Sequence, residues 1–78
     1  MVSDISTLSS REGQEEAAAE LIACLKDEVP GVREKAAEAL GKLKAQAAEE
    51  ALREMAGDLA EAILVREAAR EALRGIRP

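Results

Sequence analysis

Residues 32–43, VREKAAEALGKL, decide the fold because the chain contains the same segment a second time. Residues 65–76 read VREAAREALRGI, and seven of the twelve positions are identical when Val32 is aligned with Val65. Both copies are rich in Ala, Glu and Leu, which favour helices. The two copies are 33 residues apart, an interval typical of arrays in which pairs of helices stack on one another.

On either side of these two segments, capping and turn residues divide the chain into helices. Ser9 and Glu12 have the spacing of a capping box, and Asp58 and Glu61 repeat that pattern after Gly57. Proline suits the first turn of a helix, so Val29-Pro30-Gly31 separates the first helix from the second. The sequence therefore predicts four helices in two antiparallel pairs, at about 10–27, 31–43, 46–56 and 59–74.

The boundary between the second and third predicted helices carries no Gly or Pro, and it is predicted from the phase of the apolar residues. At about 100° per residue, Val32, Leu40 and Leu43 fall on one side of a helix. On the same helical wheel, Leu52 and Met55 point roughly 130° away. One straight helix would have to face two cores, so we predict a turn near Lys44–Gln46.

Composition predicts one small domain with a thin core. The chain has 78 residues, of which 47% are hydrophobic and 0% are aromatic. Much of the apolar content is alanine, which removes little area from water, so the helices must approach each other closely. We interpret residues 1–8 as a flexible N-terminal arm and residues 9–78 as a single helical-repeat domain.

Charge and hydropathy argue against nucleic-acid and membrane partners. The net charge is −5, and no aromatic side chain is present to stack on bases. No apolar run approaches the roughly 20 residues that a membrane-spanning helix needs. The first ten residues lack the basic and apolar regions of a signal peptide, and a single cysteine cannot form an internal disulfide. We therefore expect a cytoplasmic protein.

Catalytic and metal-binding residue types are scarce. Histidine is absent, which removes the commonest general base and the partner that di-iron helical sites require. The glutamates at helical spacing are better explained as a solvated face, and Cys24 as a small filler beside the apolar stripe. We predict no enzyme activity, no cofactor and no metal site. The glutamates in question are Glu12, Glu16, Glu20, Glu50 and Glu54.

The stretch LIACLKDEVPGVREKAAEALGKL, residues 21–43, resembles a HEAT-like repeat of the phycobilisome-lyase type. The resemblance rests on LKD at the end of the first helix, Pro in the turn, VR at the start of the second helix, and A-x-x-A-L-G. It covers about residues 17–76 as two repeats and is weaker in the second repeat. It implies an all-α fold, a short right-handed α-α superhelix, or solenoid, of two HEAT-like helix pairs.

The resemblance also implies a polar ladder between neighbouring repeats. Such a ladder joins an aspartate in the turn to the arginine that follows the valine. Asp27 and Arg33 would fill these two roles, and Arg66 would be the second arginine. Asp58 lies two residues too far from Arg66 for the same spacing, so the second repeat departs from the pattern at this position.

By the same resemblance, the second helix of each pair would line a surface that binds another protein. The ordinary alternative is that its charged residues only solubilise the helices and support one another at four-residue spacing. Arg66, Arg70 and Arg74 could also offset the negative end of the last helix dipole. The residues of this predicted docking surface are Glu34, Lys35, Glu38, Lys42, Glu67, Arg70, Glu71 and Arg74.

Three functional hypotheses follow from these observations. The first is a non-catalytic adaptor or scaffold module that binds another protein. The second is an accessory subunit of an enzyme complex, such as a chromophore lyase, that supplies binding but not chemistry. The third is self-assembly into a homo-oligomer, because two repeats leave apolar ends that neighbouring repeats usually cover.

Overall fold

The computed structural model describes residue 13 and residues 15–76. Within these residues it contains four α-helices, one short 3-10 helix and no strand. This arrangement confirms the predicted all-α solenoid of two helix pairs. The N-terminal arm and the capping box at Ser9 lie outside the described residues. The helices are α1 (residues 15–24, with residue 13 also helical), α2 (Pro30–Leu43), α3 (Glu49–Gly57, preceded by the 3-10 helix Gln46–Ala48) and α4 (Ile63–Ile76).

The connection from α1 to α2 tightens before it turns. Helix α1 ends at residue 24, three residues earlier than predicted, because the next N–H groups bond to carbonyls three residues back. Asp27 Oδ1 then accepts the N–H of Val29 at 2.8 Å, which fixes the turn. Pro30 opens α2, where a missing N–H is harmless.

The predicted break near Lys44–Gln46 is confirmed. Lys44 adopts the left-handed conformation, with φ 54° and ψ 45°. Its N–H bonds to the carbonyl of Gly41 at 3.1 Å, and the N–H of Ala45 bonds to that of Leu40 at 3.1 Å. These two bonds form a Schellman motif, which ends α2 without glycine.

The start predicted for the fourth helix, residue 59, is wrong by four residues. Asp58 does not cap α4: its Oδ1 accepts the N–H of Ala60 at 2.9 Å and closes a turn. Glu61 does not reach back to Asp58, because its carboxylate binds Arg33 and the N–H of Ala62. Helix α4 therefore begins at Ile63, and the turn before it, residues 58–62, is as long as the turn of residues 25–29 between α1 and α2.

The core is continuous through both helix pairs, and six of its twelve buried residues are alanine. The largest fully buried side chains are Leu40, Leu52 and Val65. Partly buried residues of α1, including Leu21 and Ile22, pack against this cluster. The described residues thus form the thin core, with few large side chains, that the composition predicts. Its members are Leu25, Ala36, Ala37, Leu40, Ala48, Leu52, Met55, Val65, Ala68, Ala69, Ala72 and Ile76.

Helices α2 and α4 meet at a contact that only small residues allow. A Cβ added to Gly41 would lie 2.7 Å from Ala72 Cα, closer than side chains tolerate. A Cβ added to Gly75 would lie 3.1 Å from the Gly41 carbonyl oxygen. Close backbone approach brings many atoms of the two helices into dispersion contact and offsets the shortage of large side chains. It also sets α2 and α4 side by side as one two-helix surface.

Candidate functional site

A groove runs between α2 and α4 above their closest contact. Its floor consists of Gly41, Ala72 and Gly75, and its walls carry Glu38 and Lys42 from α2 and Glu71 from α4. The groove has a volume of about 350 Å³. Because the floor residues are small, backbone lies near the surface and the charged side chains stand above it.

A second groove lies on α4 next to the first. It has a volume of about 280 Å³ and is lined by Glu67, Arg70, Glu71 and Arg74. Glu71 lines both grooves, so the two form one continuous surface. This surface, the α2/α4 face, brings together six of the eight residues predicted to bind a partner.

The other two predicted residues lie elsewhere. Lys35 lines a different, apolar groove between α1 and α2, and its Nζ lies 3.6 Å from Glu38 Oε1. Glu34 is half-buried and lines neither groove of the α2/α4 face. All eight predicted residues lie on the second helix of a pair, but two of them lie outside the α2/α4 face.

The charged groups of the α2/α4 face are mostly open to solvent. Arg74 Nη1 and Glu71 Oε2 form an ion pair at 2.8 Å, with side chains 75% and 70% exposed. Exposed pairs of this kind contribute about 0–1 kcal/mol, so they hold neither side chain firmly. Among the described residues, Lys42, Glu67 and Arg70 form no ion pair. The face therefore offers groups of both signs that a partner could bind.

An ion pair between Arg33 at the start of α2 and Glu61 in the turn before α4 connects the two helix pairs. Arg33 Nε donates to Glu61 Oε2 at 2.9 Å, and Arg33 Nη2 donates to Glu61 Oε1 at 2.6 Å. Arg33 Nη1 also donates to the backbone carbonyls of Asp27 at 2.7 Å and Glu28 at 3.1 Å. The hydrogen bonds from Arg33 lower the pKa of the Glu61 carboxyl below its ordinary value.

This contact differs from the ladder that the resemblance implied. Asp27 takes part through its backbone carbonyl, because its side chain is used in the turn before α2. Arg66 Nε donates to the Ala56 carbonyl at 3.5 Å, and no ion pair of Arg66 exists among the described residues. Glu61 was missed as a partner because its spacing from Asp58 indicated a local helix cap, and no local pattern links it to Arg33, which lies 28 residues away.

The described residues hold no arrangement suited to a metal ion. Within residue 13 and residues 15–76, no three acidic, cysteine or histidine side chains are grouped to hold one. Cys24 is a free, half-buried thiol. None of the helices in this part of the chain is long and apolar enough to cross a membrane.

Two stacked helix pairs whose second helices carry the same sequence pattern define a helical-repeat protein. A sequence model of the family described as HEAT repeats matches residues 5–74, and the chain belongs to that family. HEAT repeats generally mediate protein–protein interactions and are typically non-catalytic. Neither the curated proteins nor the solved structures give a match to this chain.

Proposed function

We propose that this HEAT-repeat chain is a non-catalytic adaptor that binds another protein through its α2/α4 face. The single observation that carries the proposal is that Glu71 lines both grooves. It joins two separate surface depressions into one surface that spans both repeats. A partner bound there would contact both helix pairs at once.

The charges of this face indicate the chemistry of the partner. Three acidic groups, those of Glu38, Glu67 and Glu71, stand beside the basic groups of Lys42, Arg70 and Arg74. Such a balanced pattern gives no strong attraction for a phosphate backbone, which needs a basic surface. It suits a protein surface with complementary charges of both signs, since mixed charges set register and specificity.

Charge reversal at the shared groove tests this proposal. The double variant E38K/E71K changes one wall residue of the groove on each helix, and both side chains lie on the exterior. Immobilised wild-type chain is expected to retain a stoichiometric partner from the lysate of its source cell. We expect the double variant to retain at least about tenfold less, because like charges at an interface cost several kcal/mol.

The chain offers a matched control on its other two helices. E20K/E54K makes the same change in net charge on α1 and α3, at exposed positions outside the α2/α4 face. This control should retain the partner as wild type does. Equal retention by wild type, E38K/E71K and E20K/E54K would exclude the α2/α4 face as the docking surface.

The phycobilisome-lyase type of repeat suggests one narrower form of this function. Under it, the partner is an enzyme subunit, and this chain supplies binding while the partner supplies chemistry. The motivation is the resemblance of the segment ending in Leu43, residues 21–43, to that type. Adding wild-type chain to the purified partner should then raise the partner's activity, and E38K/E71K should fail to do so.

A further inference from the structure

The packing of α4 on the first helix pair shows what an apolar repeat face requires as its cover. On α4 this face is almost completely buried. The α2 residues Ala37 and Leu40 are fully buried, and Gly41 contacts Ala72 directly. A face of this kind is therefore covered by a helix that carries alanine, leucine and glycine at the spacing A-x-x-L-G. The buried α4 residues are Val65, Ala68, Ala69 and Ala72.

The same face occurs on α2, where the described residues cover it only in part: Ala36 is buried and Ala39 half-buried, whereas Val32 is exposed. In the alignment of the two repeats, Val65, Ala69 and Ala72 correspond to Val32, Ala36 and Ala39. Val65 is 1% exposed, whereas Val32 is 37% exposed. We call this surface the α1/α2 groove, an almost wholly apolar depression of about 610 Å³. It is lined by Leu21, Cys24, Val29, Gly31, Val32, Lys35, Ala36 and Ala39.

The opposite end of the array is closed to such packing. In the same alignment, Ala37 corresponds to Arg70 and Gly41 corresponds to Arg74. Both arginines are exposed, and their length prevents the close backbone approach that Gly41 allows. Burial of the Arg70 guanidinium, which forms no ion pair among the described residues, against an apolar helix is also costly. The described residues of a second copy of this chain thus offer no free surface of the kind that covers the α1/α2 groove.

One difference between the two repeats, a lysine in place of an alanine, indicates which charge the occupant of the groove carries. Lys35 stands where the α4 face has Ala68, which is 7% exposed. The Lys35 side chain is 79% exposed, and its ion pair with Glu38 is long, at 3.6 Å. A helix seated in the groove would approach this ammonium group. It would therefore be stabilised by an acidic side chain opposite Lys35.

From these relationships we infer that the α1/α2 groove binds an amphipathic helix of another protein with an A-x-x-L-G stripe flanked by acidic residues. The occupant repeats the surface that α2 presents to α4, and its acidic residue meets Lys35. The groove is separate from the α2/α4 face, so this inference does not depend on the adaptor proposal. Binding is a helix-in-groove contact, driven by apolar burial and oriented by one ion pair.

A peptide from this chain provides a defined probe. The acetylated, amidated segment PGVREKAAEALGKL carries Ala37, Leu40 and Gly41 with acidic neighbours Glu34 and Glu38. Full-length isotope-labelled chain is titrated with it and followed by NMR, which detects weak binding by short helices. Chemical shift changes are expected at Val32 and at the other residues that line the groove.

Two variants of the protein and one variant of the peptide make this titration decisive. V32K places a charge in the groove at an exposed position, and L59K makes the same kind of change at Leu59, which is 83% exposed and lies outside it. The peptide should bind wild type and L59K alike. It should bind V32K about tenfold more weakly or worse, because the lysine must be desolvated. A peptide with A37R and G41R should not bind, since it reproduces the charges of α4.

Three outcomes would overturn the inference. The first is equal binding of the peptide to wild type and to V32K, with V32K shown by circular dichroism to be folded. The second is a change in groove shifts with protein concentration in the absence of peptide, which would make a second copy the occupant. The third is a set of nuclear Overhauser contacts from Ile5 or Leu8 to Val32 in the free chain. Those contacts would assign the groove to the chain's own N-terminal residues.

Discussion

Arg33 and Glu61 join the turns of the two helix pairs through two parallel hydrogen bonds, although 28 residues separate them in sequence. Their side chains are 19% and 10% exposed, which sets them apart from the Arg74–Glu71 pair, whose side chains are 75% and 70% exposed. The contact also engages the carbonyls that follow α1. It thereby fixes the position of one repeat relative to the other.

A double-mutant cycle on Arg33 and Glu61 should give a larger coupling energy than the cycle on Arg74 and Glu71. The reason is geometric, since two bonds at a sheltered site are lost together, whereas exposed pairs give about 0.2–1 kcal/mol. The measurement is urea unfolding of wild type, R33M, E61Q and R33M/E61Q by circular dichroism. Equal coupling in the two cycles would mean that Arg33 and Glu61 do not hold the repeats together.

The pH dependence of stability should change when Glu61 is replaced by glutamine. Hydrogen bonding from Arg33 lowers the pKa of Glu61 in the folded state, so folding favours the ionised carboxylate. That contribution is present above the ordinary value of about 4.5 and is lost as the pH falls through the lowered folded value. Wild type should therefore be more stable than E61Q at pH 6, and the difference should shrink below about pH 4.5.

Unfolding curves of both proteins between pH 6 and pH 3 measure this difference. The other carboxylates titrate in both proteins and cancel in the comparison. A constant gap over the whole range would show that the ionised form of Glu61 is not favoured by folding.

Much of this fold could be predicted from sequence because the helix boundaries and turns depend on local or repeated sequence patterns. Helices α2 and α4 begin at Pro30 and Ile63 and end at Leu43 and Ile76, so both ends are displaced by the interval that the repeat indicates. The turn after α2 followed from the phase of the apolar residues, because one helix cannot face two cores. Proline marked the start of α2 directly.

The start of α4 and the layout of the candidate site could not be predicted in the same way. Asp58 and Glu61 have capping spacing, but Arg33 competes for Glu61 from another repeat, and a local pattern contains no information on that partner. Similarly, Val32 and Val65 are equivalent in sequence and differ in burial. Their difference depends on which neighbour covers each helix, which is a property of position in the array.

Replacement of Gly41 by alanine should destabilise the fold. The new Cβ would lie 2.7 Å from Ala72 Cα, so α2 and α4 would have to separate along their contact. Overpacking of this kind costs about 1–3 kcal/mol, which exceeds the helix propensity gained from alanine. Urea unfolding measures the change in free energy, and a G41A variant as stable as wild type would contradict the contact.

The same substitution at Gly57 should have the opposite sign. Gly57 is the last residue of α3, no atom lies within 4 Å of an added Cβ, and its φ is not positive. Alanine at this position reduces the entropy of the unfolded chain and should stabilise the protein by about 0.5–1 kcal/mol. G57A thus serves as the matched control for G41A, and a loss of stability in G57A would point to a contact that the helix end does not show.

Replacement of Lys44 by glycine should stabilise the protein at the end of α2. Lys44 is the one described residue other than glycine with positive φ, and a side chain there costs roughly 1–2 kcal/mol because Cβ approaches the backbone. Glycine keeps the two Schellman hydrogen bonds and removes that cost, so the midpoint of urea unfolding should rise. Lys42 is the matched control, since it lies in the last turn of α2 with helical geometry and K42G should lower stability by up to about 1 kcal/mol. Opposite signs for K44G and K42G would establish that the turn is defined by backbone conformation rather than by the lysine charge, whereas a loss in both would contradict the left-handed cap.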